Sequence, residues 1–237
     1  MTFPARPNSG FEAGDIAQAR TLLAENGWAL LPGAGFTDGR SVDHSRVAMI
    51  ASAFGRPSAR DGGTAIWPVQ PATTAQEATF SQRSGDALLH TDAAYRRVPE
   101  PRFLLCCVRP AVDGGATRLL PAQHVAASLP PELLTSLQAP QWQWNPPAVF
   151  GGTPEGHHPV LHRDGTIRWR LDNLRVGGTL REHAQRFARH VESHPLLTQV
   201  HLPADAVLIC DNRRVLHGRT TFDDPNRRLL RIRVVDW

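Results

Sequence analysis

Apolar and polar positions along this chain follow two periods, and the shorter one dominates after residue 80. Asp15 to Asn26 sets Ile16, Ala19, Leu22 and Leu23 at helical spacing, with Asp15 near the start and Gly27 past the end. That predicts a short amphipathic helix with sensible ends. Val42 to Phe54 predicts a second, with Val47, Ile50, Ala51 and Phe54 on one stripe. Between them Trp28-Ala-Leu-Leu31 reads as a strand closed by Pro32-Gly33. Strand signals then accumulate. Ala87 to Asp92, Phe103 to Val108, Ala116 to Leu120, Val200 to Leu202, Ala206 to Cys210 and Leu229 to Val235 are short apolar or alternating runs bounded by Gly, Pro or Asp. Trp142 and Trp144 alternate with Gln141 and Gln143, the pattern of a half-buried strand. Leu161 to Ile167 reads as a hairpin turning at Asp164-Gly165. Gln123 to Leu129, Pro131 to Leu137 and Thr179 to His194 read as helices, the middle one with proline in its first turn.

Many short strands separated by turns favour an antiparallel double sheet over a parallel α/β sheet. The expected architecture is mainly β with peripheral helices, a double-stranded β-helix (a jelly roll, cupin-like). Residues 1–237 form one domain on this reading, with 1–13 as a loose lead-in. Residues 56–80 carry few regular signals and read as a long loop. Such loops inside a domain are usually functional, which suits a lid over the site.

Composition narrows the picture. The 237 residues are 41% hydrophobic, enough for one real core. The chain has no lysine, and its arginines are scattered, so the formal charge of +4 does not point to nucleic acid. Cys106, Cys107 and Cys210 are an odd count. The first two are adjacent and should face opposite sides of a strand, as buried thiols in a reducing compartment. The first residues lack the apolar segment of a signal peptide, and no stretch approaches the length that spans a bilayer. A soluble, cytoplasmic protein is the expectation, with a small-molecule substrate and neither nucleic acid nor membrane as partner.

The candidate chemistry begins at His90-Thr-Asp92. In an extended strand, residues i and i+2 share a face, so His90 and Asp92 would aim a nitrogen and an oxygen at one point. The ordinary alternative is a strand-end histidine followed by a turn-starting aspartate. The other end of the chain supplies a buried strand, a lone His217 and then an arginine-bearing strand.

Four motifs in order, His90-Thr-Asp92, Gly114-Gly-Ala-Thr117, Asp211-Asn-Arg-Arg-Val-Leu-His-Gly-Arg219 and Arg227-x-Leu229-x-Arg231, resemble the Fe(II)/2-oxoglutarate-dependent dioxygenases of the taurine dioxygenase/TfdA superfamily, clavaminate-synthase-like members included. The resemblance implies an Fe(II) site of His90, Asp92 and His217, the two-histidine, one-carboxylate triad that leaves positions open for cosubstrate, substrate and O2. Gly218 would remove bulk beside the metal. The resemblance further implies that 2-oxoglutarate chelates the iron while its far carboxylate meets Arg227, helped by the Thr117 hydroxyl. A buried carboxylate needs such a cation, and guanidinium pairs with two oxygens at once. Strand parity puts Arg227, Leu229, Arg231 and Arg233 on one face. Arg231 would line the same pocket, Arg228 is the alternative if the register slips, and Arg233 reads as solvated edge-strand charge.

The implied reaction is hydroxylation of a small polar, amino-acid-like or anionic molecule, with release of succinate and CO2. Related halogenases replace the ligand carboxylate with Gly or Ala, so Asp92 argues against chlorination; desaturation, cyclisation and epimerisation stay open. Tyr95, Arg96, Arg97, Trp169, Arg170 and Asn173 are candidate substrate contacts by side-chain type. His157, His158, His162, His183, His190 and His194 read as surface residues. Two competing readings are a catalytically silent jelly-roll binding protein and a zinc hydrolase. The intact triad speaks against the first, and Thr117 with Arg227 would have no task in the second.

Overall fold

The structure, a computed structural model, describes residues 12–59, 63–72, 82–148 and 151–237. Helix α1 (Ala13–Asn26) is capped at both ends. Glu12 and Asp15 form a reciprocal capping box, and Gly27, at φ 79°, donates its N–H to the Leu23 carbonyl. Strand β1 (Trp28–Leu31) follows, then α2 (His44–Ser52), whose Asp43 side chain accepts the Arg46 N–H at 2.9 Å.

Two antiparallel sheets face each other. The larger runs β1, β8 (Val207–Asp211), β5 (Arg102–Arg109), β10 (Arg228–Val235). On the free edge of β10 lie β2 (Arg56–Pro57) and β3 (Ile66–Val69), end to end. The smaller sheet runs β4 (Ala87–His90), β9 (Val215–Arg219), β6 (Thr117–Pro121), β7 (Thr198–Val200). This is the mainly β jelly roll the pattern predicted. Helices α1 and α2 cover the larger sheet; α3 (Ala122–Ser128), α4 (Pro131–Gln138) and α5 (Gly178–Glu192) cover the smaller.

Strand parity sorts the side chains into three layers. On β10, Leu230, Ile232 and Val234 join the helix-facing cluster, while Leu229 joins the inter-sheet cluster with Phe103, Cys107, Leu119, Leu208 and Cys210. Cys106 faces outward and Cys107 inward, both buried and free, as the sequence implied.

Two expectations change. The segment 56–80 is not one loop: its described parts include β2 and β3, which hydrogen-bond to β10. Trp67 and Val69 flank Pro68 in β3, and proline is tolerated on an edge strand. The rest of the expected lid, residues 60–62 and 73–80, lies outside the described residues, as does most of the 1–13 lead-in. Trp142 and Trp144 are fully buried and make only isolated bridges, to His158 and Leu174, rather than a half-buried strand. Their indole N–H groups donate to the Ser136 and Arg170 carbonyls, which lets both rings enter the core.

Candidate active site

His90 and His217 are register partners on neighbouring strands, which is how residues so far apart in sequence meet. The pairing is uneven. Ala87 opposes Arg219 and His90 opposes His217, so three residue steps on β4 match two on β9. This bulge turns both Ala87 and His90 inward, and it needs a glycine opposite. A Cβ at Gly218 would stand 2.5 Å from the Ala87 carbonyl oxygen. Gly218 therefore makes room for the β4 backbone, and it also lines the cavity that holds the triad. The Leu89 N–H, at the bulge, donates to Glu192 of α5 at 2.6 Å, and Glu192 also pairs with Arg118 of β6 at 2.6 Å.

The strand ends at His90, and Asp92 opens a turn. The aspartate is nonetheless fixed. Thr91 donates its N–H to the Trp169 carbonyl, and the Thr91 hydroxyl accepts the Trp169 N–H at 2.9 Å. Asn212 accepts the Asp92 N–H at 2.7 Å and donates to the Asp92 and Glu100 carbonyls at 3.0 and 2.9 Å.

The result is a buried triad. One ligand atom each from His90, Asp92 and His217 fits within 4.8 Å of the others. Asp92 Oδ1 is 3.9 Å from the Nε2 atom of each imidazole. His90 Nδ1 lies 2.7 Å from the Leu88 carbonyl, which can only accept, so Nδ1 carries the proton and Nε2 is left as a donor to metal. Burial, with the nearby His217 and Arg170, pulls His90 well below the usual histidine range, so its imidazole is neutral. Burial alone would raise the Asp92 carboxyl, but the Arg231 guanidinium outweighs it and holds the group ionised, well below the usual carboxylate range. Two imidazole nitrogens and one carboxylate oxygen converging on a point fit a ferrous ion; among the described residues no other such cluster forms.

Beside the triad lies a cavity lined among others by Thr117, Arg219, Arg227, Leu229 and Arg231. Arg227 is 4% exposed, stands 4.7 Å above the Phe222 ring, and its Nη1 has no hydrogen-bond partner among the described residues. Burial lowers this guanidinium to about 10, so it remains cationic. Gly115 leaves space for its stem, since a Cβ there would come within 3.1 Å of Arg227 Nε. An orphaned buried cation beside a metal triad fits an incoming carboxylate. Arg228 is half-exposed and outside the cavity.

Two arginines depart from expectation. Arg233 is not solvated edge charge: β10 is flanked on both sides, Arg233 is 8% exposed, and its Nε donates to Asp92 Oδ2 at 3.2 Å. Arg219 went unnoticed, although it sits two residues beyond His217 on a strand and so must share its face. It lines the cavity opposite Thr117 and stacks on Phe222.

The sequence matches the taurine catabolism dioxygenase TauD, TfdA family over residues 5–233. The chain belongs to that family. It is an Fe(II)/2-oxoglutarate-dependent dioxygenase by that membership, and the buried His–Asp–His triad is the metal site such an enzyme requires. No curated protein matches the sequence. Solved structures share the fold. An asparagine oxygenase in complex with Fe(II), 2S,3S-3-hydroxyasparagine and succinate is 22% identical, with a TM-score of 0.77 over 94% of this chain and 78% of that one. A mutant of the non-heme iron oxygenase OrfP in complex with (3S)-hydroxy-L-Arg is 19% identical, with a TM-score of 0.79 over 95% and 81%. OrfP in complex with Fe and alpha-ketoglutaric acid is 19% identical, with a TM-score of 0.73 over 94% and 79%.

The remaining candidates in this TauD/TfdA member divide. Trp169 is core, edge-on to Phe187, and serves the site through its backbone. Arg170 is buried and paired with Asp172 at 2.7 Å. Asn173 bonds the Asn145 carbonyl. Arg168, not anticipated, straps the turn after Asp92 by donating to the Ala94, Arg96 and Arg97 carbonyls. Tyr95, Arg96 and Arg97 lie on that turn. His157, His158, His162, His183 and His190 are exposed or half-buried as expected, but His194 is buried and bonds Ser128. No helix among the described residues is long and apolar enough to cross a membrane.

Proposed function

We propose that this chain hydroxylates a small polar molecule of amino-acid type, coupling the reaction to conversion of 2-oxoglutarate into succinate and CO2. The observation that carries it is the junction of two features: three buried ligand atoms within 4.8 Å, and a cavity beside them lined by Arg227, whose Nη1 has no hydrogen-bond partner among the described residues. The amino-acid class is suggested by the hydroxylated asparagine and arginine bound in similar folds.

His90, Asp92 and His217 would hold the iron. When bound, iron with 2-oxoglutarate and dioxygen supplies the oxidising power that inserts oxygen into a C–H bond. The protein positions and excludes. Arg227 and the Thr117 hydroxyl would receive the cosubstrate's far carboxylate, and Leu229 and Phe103 line the same cavity. Arg231 lies between the cavity and Asp92, where it can meet the carboxylate nearer the metal. Asp92 occupies the position that a halogenase leaves to chloride, so oxygen transfer is the expected outcome.

Anaerobic addition of Fe(II) and 2-oxoglutarate should give a visible metal-to-ligand charge-transfer band. Absence of the band in the native protein removes the proposal. Succinate release with a panel of free amino acids then identifies the substrate, and release unaffected by every member of the panel excludes that class.

A further inference from the structure

We propose that Arg233 is a positioning residue for the metal-binding carboxylate: its Nε–H holds Asp92 Oδ2 so that Asp92 offers a metal one oxygen, Oδ1, and not two. The inference rests on the reading above that His90, Asp92 and His217 bind iron.

The two oxygens of Asp92 have different surroundings. Oδ1 faces both imidazoles, 3.9 Å from each Nε2. Oδ2 faces two guanidiniums, with Arg233 Nε at 3.2 Å and Arg231 Nη1 at 3.5 Å. Two cations on one oxygen look redundant until their other duties are compared. Arg231 lines the cosubstrate cavity, so a bound carboxylate competes for it. Arg233 does not line that cavity. Its backbone is held on both edges, paired with Phe103 on one side and accepting the Ser58 N–H at 2.8 Å on the other. Arg233 can therefore keep Oδ2 while Arg231 turns to the cosubstrate. The consequence is chemical. A facial triad works because it leaves positions open for cosubstrate and oxygen. A second carboxylate oxygen on the metal would close one of them, and Arg233 keeps that oxygen occupied elsewhere.

Charge and hydrogen bond can be separated by substitution. In Arg233→Gln the side-chain amide nitrogen falls where the arginine Nε was, so the donor is kept and the charge lost. Arg233→Met has a similar shape with neither. Removing the cation changes iron affinity by electrostatics in both variants alike, so the comparison between them isolates the hydrogen bond. In anaerobic titration with Fe(II) alone, the Met variant should bind roughly 10- to 100-fold more weakly than the Gln variant, the usual effect of losing a partner that orients a ligand. Arg233→Lys, whose ammonium can reach Oδ2, keeps both donor and charge and should lie with the native protein. Equal affinities for Gln and Met overturn the proposal. If the Met variant does not fold, the native protein loaded with Mn(II) decides: X-ray absorption and crystallography should show one Asp92 oxygen on the metal and the other on Arg233, and a two-oxygen carboxylate overturns the proposal. Native protein that binds no Fe(II) removes the metal site and this inference together, whereas tight native binding with equal variants removes the inference alone.

Discussion

Gly218 gives the most direct test of how the site is built. Replacing it with alanine adds one methyl group against backbone, not against a side chain that can swing away. The new Cβ would stand 2.5 Å from the Ala87 carbonyl oxygen and 3.3 Å from Leu88 C and Leu89 N. Contact distances begin near 3.4 Å, so β4 must retreat by close to 0.9 Å. That retreat pulls on a braced segment: the Leu89 N–H is held by Glu192 at 2.6 Å, and Glu192 is held by Arg118. Overpacking of this kind costs about 1–3 kcal/mol, and the braced backbone puts Gly218→Ala in the upper half of that range. For a chain of this size that lowers Tm by about 5–10 °C. His90 rides on the same bulge, so iron affinity should fall as well. Gly14→Ala in α1 is the control, since a Cβ there meets nothing within 4 Å and should be neutral or slightly stabilising. The assay is thermal unfolding of metal-free protein followed by anaerobic Fe(II) titration. A Gly218→Ala protein that melts within about 1 °C of the parent and binds iron as tightly would refute the bulge argument.

Other expectations follow from the same geometry. His217→Ala should abolish Fe(II) binding and the charge-transfer band; unchanged iron content would remove His217 as a ligand. Arg227→Met should weaken 2-oxoglutarate binding by roughly 30-fold or more, the scale of a truncated buried charge contact, while Fe(II) binding without cosubstrate stays nearly constant. Asn212→Ala removes three buried hydrogen bonds around Asp92 and Glu100 and should cost about 2–4 kcal/mol in denaturant unfolding, with weakened iron binding as its companion. Burial pushes the Cys107 thiol up to about 12 from an ordinary 9.0, so the folded state keeps a proton that the unfolded chain releases. Stability should fall as pH rises from about 9 towards 12, by at most about 1.4 kcal/mol per pH unit for this group, and Cys107→Ala should flatten that decline. With Cys106 and Cys210 buried too, a thiol reagent near pH 8 should label none of the three before unfolding.

The jelly roll was legible because short apolar runs bounded by turn residues recur along the chain; Phe103–Val108 is apolar at every position because both faces of its strand are buried, Phe103 and Cys107 between the sheets and Leu104, Cys106 and Val108 under the helices. The metal ligands were legible because motif order carried them, although strand geometry alone misdescribed the reason. His90 and Asp92 share a target not as residues of one straight strand but because a bulge turns the histidine inward and Asn212 pins the aspartate on a turn. Arg233 was misread because sequence does not say which strands flank β10; the pairing partners β2 and β3 sit in a stretch rich in Gly, Pro and Thr with weak strand signal. Arg219 could have been found from parity with His217. Glu192 could not, since nothing local marks a helix-end carboxylate as the partner of a backbone amide 103 positions away.

Strand β10 serves two masters at once. Its even-numbered apolar residues anchor the helical layer and its odd-numbered arginines face Asp92 and the cavity, so the alternation cannot be shifted by one without exchanging grease for charge on both sides. Divergence in this lineage should therefore favour insertions and deletions in the 223–226 connection, past Phe222, whose ring packs on Arg219 and Arg227. Single-residue length changes inside Arg228–Val235 should be purged regardless of which substrate a descendant adopts.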